Sequence, residues 1–493
     1  MMHIDARKLD EHTDIQGDIC IVGMGAAGIT LALALKNIGR NILLIEGGGF
    51  DADHQTQSLN DGENTGQKYY PLESSRLRFF GGTTNHWAGW CAPLDPIDFE
   101  KRTWVPNSGW PITYDELAPY YIKAQQLCEL EHNEILPLDW DKIRPTEYRL
   151  GLNEKKFFTK IFQKSTPTHF GSKYRDDILN AKNLQLYTHC NAVKIQLNEA
   201  GSAVQSIVTK TLNGRTQLVS AKHFILACGA LQNVRLLLAS KNVQANGIGN
   251  QYDQVGRYFM EHPHVDTANM LLDGSIDMNI YNYYQPTRSF GLVATSPDFQ
   301  RHHLIGNYSS FLYNTPLPDS EDQRSLTRKI KDRLGWSGRP PYLHMTLSTR
   351  IEQSPNPDSR VTLSREMDSL GVPKVKLHWK LLDLDRHTIR TSNLELGKEL
   401  GRQSLGRLQL QTWQLDDSQP WPENLEGGFH HMGIARMSAS AKTGVVNQHC
   451  TLHNLPNLHL AGSAVFPTSG VANPTLTIVA LAAKLADHIK RLV

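Results

Sequence analysis

Hydrophobic residues follow one another almost without interruption in residues 18–22 and again in residues 41–45. Continuous apolar runs of this length are typical of parallel strands that are buried on both faces of a sheet. Between them, residues 29–35 carry an apolar pattern that predicts a helix ending near Gly39. The order strand, helix, strand predicts an α/β fold for the N-terminal part of the chain.

A different pattern governs residues 360–364 and 373–379, where apolar and polar side chains alternate. Alternation predicts antiparallel strands that have one face in water. Towards the C-terminus, residues 457–463 predict another short buried strand that ends in a turn, and residues 473–483 predict a helix. The chain is therefore expected to combine a parallel α/β part with a part built on an antiparallel sheet.

Composition narrows the class of protein. At 493 residues the chain is long enough for two domains. A net charge of +2, from 51 basic and 49 acidic residues, gives no electrostatic argument for nucleic acid or an anionic membrane as partner. The first residues lack the apolar segment of a signal peptide, no apolar run is long enough to span a bilayer, and the six cysteines are scattered. We therefore expect a cytoplasmic protein.

A glycine fingerprint follows directly after the first predicted strand. Glycines in a G-x-G-x-x-G pattern permit a tight turn and let the backbone approach a pyrophosphate at the start of a helix. An acidic residue at the end of the second strand has the spacing expected for a ribose ligand. The alternative is a glycine-rich turn that binds no nucleotide, and the motif alone does not choose between FAD and NAD. The predicted dinucleotide-binding residues are Gly23, Gly25, Ala26, Ala27, Gly28 and Glu46.

A second group of small residues, at positions 79–89, contains a Gly-Gly pair, one histidine and one tryptophan. A Gly-Gly pair allows the backbone to lie close to a flat ligand such as a flavin ring. The alternative is a surface loop whose histidine and tryptophan pack on each other. The candidate binding residues in this loop are Gly81, Gly82, Asn85, His86, Trp87 and Ala88.

Two polar side chains near the C-terminus could carry chemistry. His430, in a His-His-Met-Gly sequence, has a side chain suited to accept the proton of an alcohol while hydride leaves the carbon. Asn473 precedes Pro474, which suits a first helical position, so Asn473 could equally be a helix cap without a catalytic role. His262 and His264 alternate as on a strand, but no third metal ligand is evident, so no metal site is predicted.

Taken together, the glycine fingerprint, the 81–89 loop, the His-x-x-Gly of His430 to Gly433 and the closing Asn-Pro-Thr-Leu helix resemble the glucose-methanol-choline (GMC) oxidoreductases, an FAD-dependent family. The segments occur in the family's order, so the resemblance covers essentially the whole chain. The Gly-Gly-x-x-x-His-Trp loop and the Ala-Asn-Pro-Thr-Leu-Thr ending are similar to the pyranose oxidase-like branch.

This resemblance implies FAD as cofactor, His430 as the catalytic histidine and Asn473 as its partner. The neighbouring His431 is the alternative assignment for the histidine. His86 falls where some members attach the flavin covalently and others bind it without a bond. Further flavin contacts are implied for Val193, Ala227, Gly462, Ser463, Asn473, Pro474 and Thr475.

The resemblance also implies two domains that are discontinuous in sequence. A Rossmann-like FAD-binding domain is expected from residues 1–100, 180–262 and 427–493. A substrate-binding domain with a mainly antiparallel sheet is expected from residues 101–179 and 263–426. Residues 314–341, rich in Pro, Asp, Arg and Lys, predict an exposed loop over the substrate entrance.

The expected activity is FAD-dependent oxidation of a secondary alcohol of a sugar or glycoside to a ketone, with oxygen or another electron acceptor. One alternative is a dehydrogenase that oxidises a primary alcohol of an amino sugar or other metabolite and passes electrons to a quinone or a protein. An alternative of another class is a flavin-binding subunit without turnover. The sequence does not indicate the oligomeric state.

Overall fold

The computed structural model describes residues 2–133, 148–282, 288–315 and 342–493, together with Lys142 and Ile330. The predicted loop at 314–341 lies almost entirely outside these residues. The strands within them are β1 (Met2–Asp5), β2 (Thr13–Gln16), β3 (Ile19–Val22), β4 (Ile42–Ile45), β5 (Gly62–Gly66), β6 (Trp90–Cys91), β7 (Phe157–Lys164), β8 (Leu184–Thr188), β9 (Asn191–Leu197), β10 (Val204–Lys210), β11 (Thr216–Ser220), β12 (His223–Leu226), β13 (His264–Asp273), β14 (Ser289–Thr295), β15 (Tyr308–Asn314), β16 (Tyr342–Ile351), β17 (Arg360–Met367), β18 (Pro373–Trp379), β19 (Gly406–Leu410) and β20 (Leu458–Leu460).

The α-helices in the same residues range from single turns to a helix of 20 residues. They are α1 (Ala26–Leu35), α2 (His54–Ser58), α3 (Pro96–Phe99), α4 (Tyr114–Leu127), α5 (Phe170–Leu179), α6 (Ala230–Ala239), α7 (Pro297–His303), α8 (Asp383–Arg402) and α9 (Thr475–Lys490). Among these described helices, none is both long and apolar enough to cross a bilayer.

A six-stranded, wholly parallel sheet forms the first layer, in the order β1-β8-β4-β3-β12-β20. Every residue of β3 and β4 is buried, which explains why both strands are continuous apolar runs. Helix α1 connects them and packs against α9, the C-terminal helix. The predicted order of strand, helix and strand is confirmed.

A seven-stranded sheet with only antiparallel neighbours forms the second large layer, in the order β19-β13-β16-β15-β14-β7-β6. Helix α8 packs on one face of it and covers a separate apolar cluster that includes Phe157, Ile161 and Leu396. The mixed fold class, with one parallel and one mainly antiparallel sheet, is therefore as predicted.

Two smaller sheets complete the described structure. One has the order β2-β11-β10-β9, with β2 parallel to β11. In the other, the alternating segments at 360–367 and 373–379 pair antiparallel as expected, but β18 also pairs in parallel with β5. This last sheet therefore contains β5 from the expected FAD-binding domain together with β17 and β18 from the expected substrate-binding domain. We retain that division as a proposal.

Candidate active site

A cavity of about 680 Å³ lies where the carboxyl ends of the parallel strands meet the seven-stranded sheet. Val22, Ile45 and Ala227 line it from the first sheet, and Trp90 and Arg350 line it from the second. Ligands of open parallel sheets bind outside the carboxyl ends of the strands, and this volume is in the range of small-molecule and cofactor sites.

The glycine fingerprint forms the floor of this cavity. Gly23 has φ +99°, and a Cβ there would lie 2.7 Å from the carbonyl oxygen of Ala227, so the turn requires glycine. Gly25 is the N-cap of α1 and provides no side-chain cap. The free N–H groups and positive dipole of the first turn of α1 therefore point to the place where a dinucleotide would put its pyrophosphate. A Cβ at Gly229 or Gly462 would meet only open space, so both leave room for a ligand.

Glu46 lines the same end of the cavity. Its carboxylate accepts the backbone N–H of Met24 and of Gly48, each at 2.9 Å. Burial raises the pKa of this carboxyl, and these two hydrogen bonds oppose the rise. Glu46 thus fixes the glycine turn, and its remaining lone pairs are available to the ribose hydroxyl that the sequence predicts.

Most of the predicted cofactor residues line the cavity. Three do not. Gly28 lets α1 pack on the turn, since a Cβ there would lie 1.9 Å from the oxygen of Gly23. Gly81 has φ +97°, and a Cβ there would lie 2.7 Å from the backbone of Gly171. The amide of Asn85 donates to the carbonyl of Phe80. The residues that line the cavity are Gly23, Gly25, Ala26, Ala27, Glu46, Gly82, His86, Trp87, Ala88, Val193, Ala227, Gly462, Ser463, Asn473, Pro474 and Thr475.

His86 is exposed beside this cavity, and partial burial lowers its pKa. Its backbone N–H donates to the oxygen of Thr83. The indole N–H of Trp87 donates to the carbonyl of Thr168. Attachment of the flavin through His86 stays a prediction, and release of the flavin on acid precipitation would contradict it.

Four arginines line the cavity and were not identified from the sequence, and two of them, Arg76 and Arg78, lie in one short segment. Arg78 donates to the side chain of Asn191 at 3.0 Å. Arg76 is bonded to backbone carbonyls of Asn60 and Leu72, and burial lowers its pKa to about 9. Both follow a stretch without regular apolar spacing, so periodicity gave no signal for them.

At the opposite end of the cavity, Asn473 Nδ2 lies 3.2 Å from Nε2 of His430. Helix α9 begins at Thr475, one residue later than the predicted Pro474, and its first turn has no side-chain cap. The cap interpretation of Asn473 is therefore wrong, because its amide contacts a histidine instead. His431 also lines the cavity, but its Nε2 is buried without a partner and burial lowers its pKa to about 3.

A second histidine sets the tautomer of His430. His262 Nε2 lies 3.2 Å from the carbonyl oxygen of Ser469, which can only accept, so Nε2 of His262 carries the proton. His262 Nδ1 is then an acceptor and receives the N–H from Nδ1 of His430, 2.9 Å away. Nε2 of His430 is left unprotonated, facing Asn473. The sequence had offered His262 only as a metal ligand; within the described residues, no group of three or more potential ligands is arranged for a metal.

Burial keeps this chain of histidines neutral. It lowers the pKa of His262 to about 4 and lowers those of His264 and His430 well below the usual value. The positive charge of Arg350 acts in the same direction on all three rings. The imidazole rings of this site are therefore neutral at neutral pH, each with one protonated nitrogen.

Glu261 holds the two histidine-bearing segments together. Its buried carboxylate accepts the backbone N–H groups of His262, Gly428 and His430 at 2.9–3.2 Å. It also accepts the hydroxyl of Tyr70 at 2.8 Å and that of Tyr69. Burial raises the pKa of this carboxyl, while the five hydrogen bonds favour its ionised form.

Comparison with known proteins agrees with this geometry. The family model described as FAD dependent oxidoreductase matches residues 18–352, and the model described as GMC oxidoreductase matches residues 355–482. The chain is similar to 6'''-hydroxyparomomycin C oxidase of Streptomyces lividus (24% identity; 96% of this chain and 92% of the relative covered) and to pyranose 2-oxidase of Tricholoma matsutake (22%; 84% and 73%). Its fold is similar to pyridoxine 4-oxidase from Mesorbium loti (TM-score 0.57, 18% identity; 96% and 98%).

The chain is therefore an FAD-dependent oxidoreductase. More narrowly, it belongs to the GMC oxidoreductase family, with a pyranose oxidase among its relatives, and it acts on CH–OH groups. The glycine fingerprint left FAD and NAD open as cofactors, and the family match identifies FAD. The comparisons do not support a flavin-binding subunit without turnover.

Proposed function

We propose that this protein oxidises a secondary alcohol of a sugar or glycoside to a ketone, with His430 as proton acceptor and Asn473 as its partner. The observation that carries the proposal is the 3.2 Å contact between Asn473 Nδ2 and the unprotonated Nε2 of His430, on the cavity wall. The pyranose 2-oxidase supports a sugar substrate, because position 2 of a pyranose carries a secondary hydroxyl.

FAD, when bound, supplies the acceptor for the hydride that leaves the alcohol carbon. The protein's own groups handle the proton and the oxygen. A substrate hydroxyl placed between the two side chains would donate its proton to Nε2 of His430 and accept the N–H of Asn473. His262 would then stabilise the protonated ring, since its Nδ1 accepts the N–H of His430.

The test is anaerobic reduction of the purified flavoprotein by sugars and glycosides, followed by visible absorption. His430→Ala should retain FAD and lower the reduction rate by about 10²–10⁴, the usual contribution of a general base. The matched control is His387→Ala, an exposed histidine on α8 outside the cavity, which should reduce at the normal rate. Near-normal reduction of the His430 variant would refute the assignment.

A second candidate is oxidation of a primary alcohol of an amino sugar or similar metabolite. The relative from Streptomyces lividus favours it, because its name gives a hydroxyparomomycin as the compound oxidised. NMR analysis of the product separates the candidates, since a primary alcohol yields an aldehyde, which keeps a hydrogen on its carbonyl carbon, and a secondary one yields a ketone, which does not. Oxygen uptake during turnover separates oxygen from a quinone or protein as electron acceptor.

A further inference from the structure

Arg350 is a positive charge at the His430 end of the cavity. It lies on β16 directly opposite His264 of β13, so the two side chains project from the same face of the sheet. Its guanidinium lies 4.2 Å from the ring centre of Phe311 and 5.9 Å from that of Trp90. Aromatic contacts of this kind hold a guanidinium in place but do not neutralise it.

Within the part of the chain that the structure describes, Arg350 has no ion pair. Its Nη1 donates to the carbonyl of Ser348 at 3.1 Å and its Nη2 to the hydroxyl of Tyr313 at 3.4 Å. Its Nε is buried without a partner. Asp266 and Glu426 act on it only as distant charges, and burial lowers its pKa.

Two buried cations outside the cavity are paired with a carboxylate. Arg102 forms two hydrogen bonds of 2.6 and 2.7 Å with Glu352, and Lys160 lies 2.6 Å from Asp95. An unpaired buried guanidinium is costly, because it loses hydration without gaining a counter-charge. Such a group is retained more readily where a ligand supplies the counter-charge.

We propose that Arg350 is an anion-binding residue and that the alcohol substrate carries a carboxylate, as in a sugar acid. The proposal rests on the proposed function, because it names the class of the alcohol oxidised in the same cavity. A carboxylate matches the planar fork of a guanidinium and would supply the counter-charge that the hydroxyl of Tyr313 does not.

The charge around the proton acceptor His430 also supports a substrate that carries a carboxylate. The positive charge of Arg350 disfavours protonation of His430, which opposes proton transfer from the substrate. A bound carboxylate would offset that charge only while the substrate is present. The base would therefore become more effective when an acidic alcohol is bound than when a neutral one is.

The test compares acids with their neutral isosteres as reductants of the flavin under anaerobic conditions. D-glucuronate and D-galacturonate are paired with their carboxamides, and glucose and galactose are included. We expect kcat/KM to favour the acid by at least roughly tenfold, the scale of one charge-assisted hydrogen bond. Arg350→Met should abolish this preference, with a larger loss of kcat/KM for the acids than for the carboxamides, and Arg350→Lys should keep part of it.

The matched control is Arg386→Gln. Arg386 also stacks on tryptophan rings, with Trp421 at 4.8 Å, but it lies on α8 outside the cavity. It should leave the preference for acids unchanged. Neutral sugars that reduce the flavin as well as the acids, or an equal loss for both in Arg350→Met, would overturn the anion site but leave the proposed function standing. If no sugar, neutral or acidic, reduces the flavin, the proposed function fails and the anion site falls with it.

Discussion

Replacing Glu261 by Gln tests how far the catalytic geometry depends on one buried carboxylate. Every group that contacts this carboxylate is a donor: three backbone N–H groups and two tyrosine hydroxyls. A glutamine has only one acceptor oxygen, and its NH₂ must face donors whichever way it turns. The tyrosine hydroxyls can rotate to accept from this NH₂, whereas the backbone N–H groups cannot.

The expected cost follows from that asymmetry. A glutamine oxygen in the place of Oε2 would keep the N–H groups of His262, Gly428 and His430, and the NH₂ would face Tyr69 and Tyr70. Hydrogen bonds to a charged group contribute about 1.5–3 kcal/mol and those to a neutral group about 0.5–1.5, so five weakened bonds could lose about 5 kcal/mol. Removing a buried charge offsets part of this loss, which leaves a net destabilisation of about 2 kcal/mol.

The effect on chemistry should exceed the effect on stability. Glu261 fixes the backbone of both His262 and His430, so its change moves the proton acceptor relative to the cavity. A shift of about 1 Å in a reacting group can lower the rate about 10²-fold. We therefore expect Glu261→Gln to bind FAD normally and to lower the rate of anaerobic flavin reduction by about 10- to 100-fold.

Asp385→Asn provides the matched control. Asp385 is also a buried carboxylate, and it accepts the backbone N–H groups of Ser354 and Leu382 at 2.7 Å, but it lies outside the cavity. Thermal unfolding should show both variants destabilised, and stopped-flow reduction should show only the Glu261 variant slowed. Equal reduction rates per bound flavin in the two variants would refute a positioning role for Glu261.

Further predictions concern the glycine turn and the histidines. Gly28→Ala should lower the melting temperature and the FAD content, because the new Cβ would lie only 1.9 Å from the oxygen of Gly23. The control Gly401→Ala, in open space on α8, should be neutral or stabilising. Equal melting temperatures and FAD contents in the two variants would contradict the packing argument. The kcat/KM for flavin reduction should stay constant as pH falls through 6.5 and decline only at lower pH, because the pKa of His430 is depressed; an acid limb at or above 6.5 in a pH profile would contradict this. Stability from buried neutral His262 should be complete above pH 6.5 and be lost as pH falls towards about 4, which denaturation at several pH values would check; a stability that does not fall over this range would contradict it.

The nucleotide end of the cavity could be predicted from sequence because its constraints are local. The turn at Gly23 and the close packing of Gly28 depend on residues within one strand–turn–helix unit, and apolar runs mark that unit. The pairing of His430 with Asn473 came from a family resemblance, since 43 residues separate them and no periodicity connects them. The cap interpretation of Asn473 failed because a helix-start pattern does not show which way the side chain turns.

Residues that act across the two sheets could not be predicted. Arg350 meets the cavity only because β16 pairs with β13 in the register that sets it opposite His264. His262 was noticed, but its role depends on the carbonyl of Ser469, which lies 207 residues later in the chain. Strand β5 is rich in glycine and polar residues, so it has little strand propensity and forms as an edge strand beside β18.

A weak base is compatible with alcohol oxidation in this site. As hydride leaves the carbon, the hydroxyl oxygen becomes that of a protonated ketone, which is far more acidic than an alcohol, so even an imidazole with a depressed pKa can accept the proton. The neutral chain from His430 through His262 to the carbonyl of Ser469 is already oriented for that moment, because the ring that gains the proton donates to one that accepts. The positive charge of Arg350 opposes the charge formed on His430. The low basicity of His430 thus suits the transition state, and the ease with which this ring gains a proton depends on the charge of the substrate bound beside Arg350.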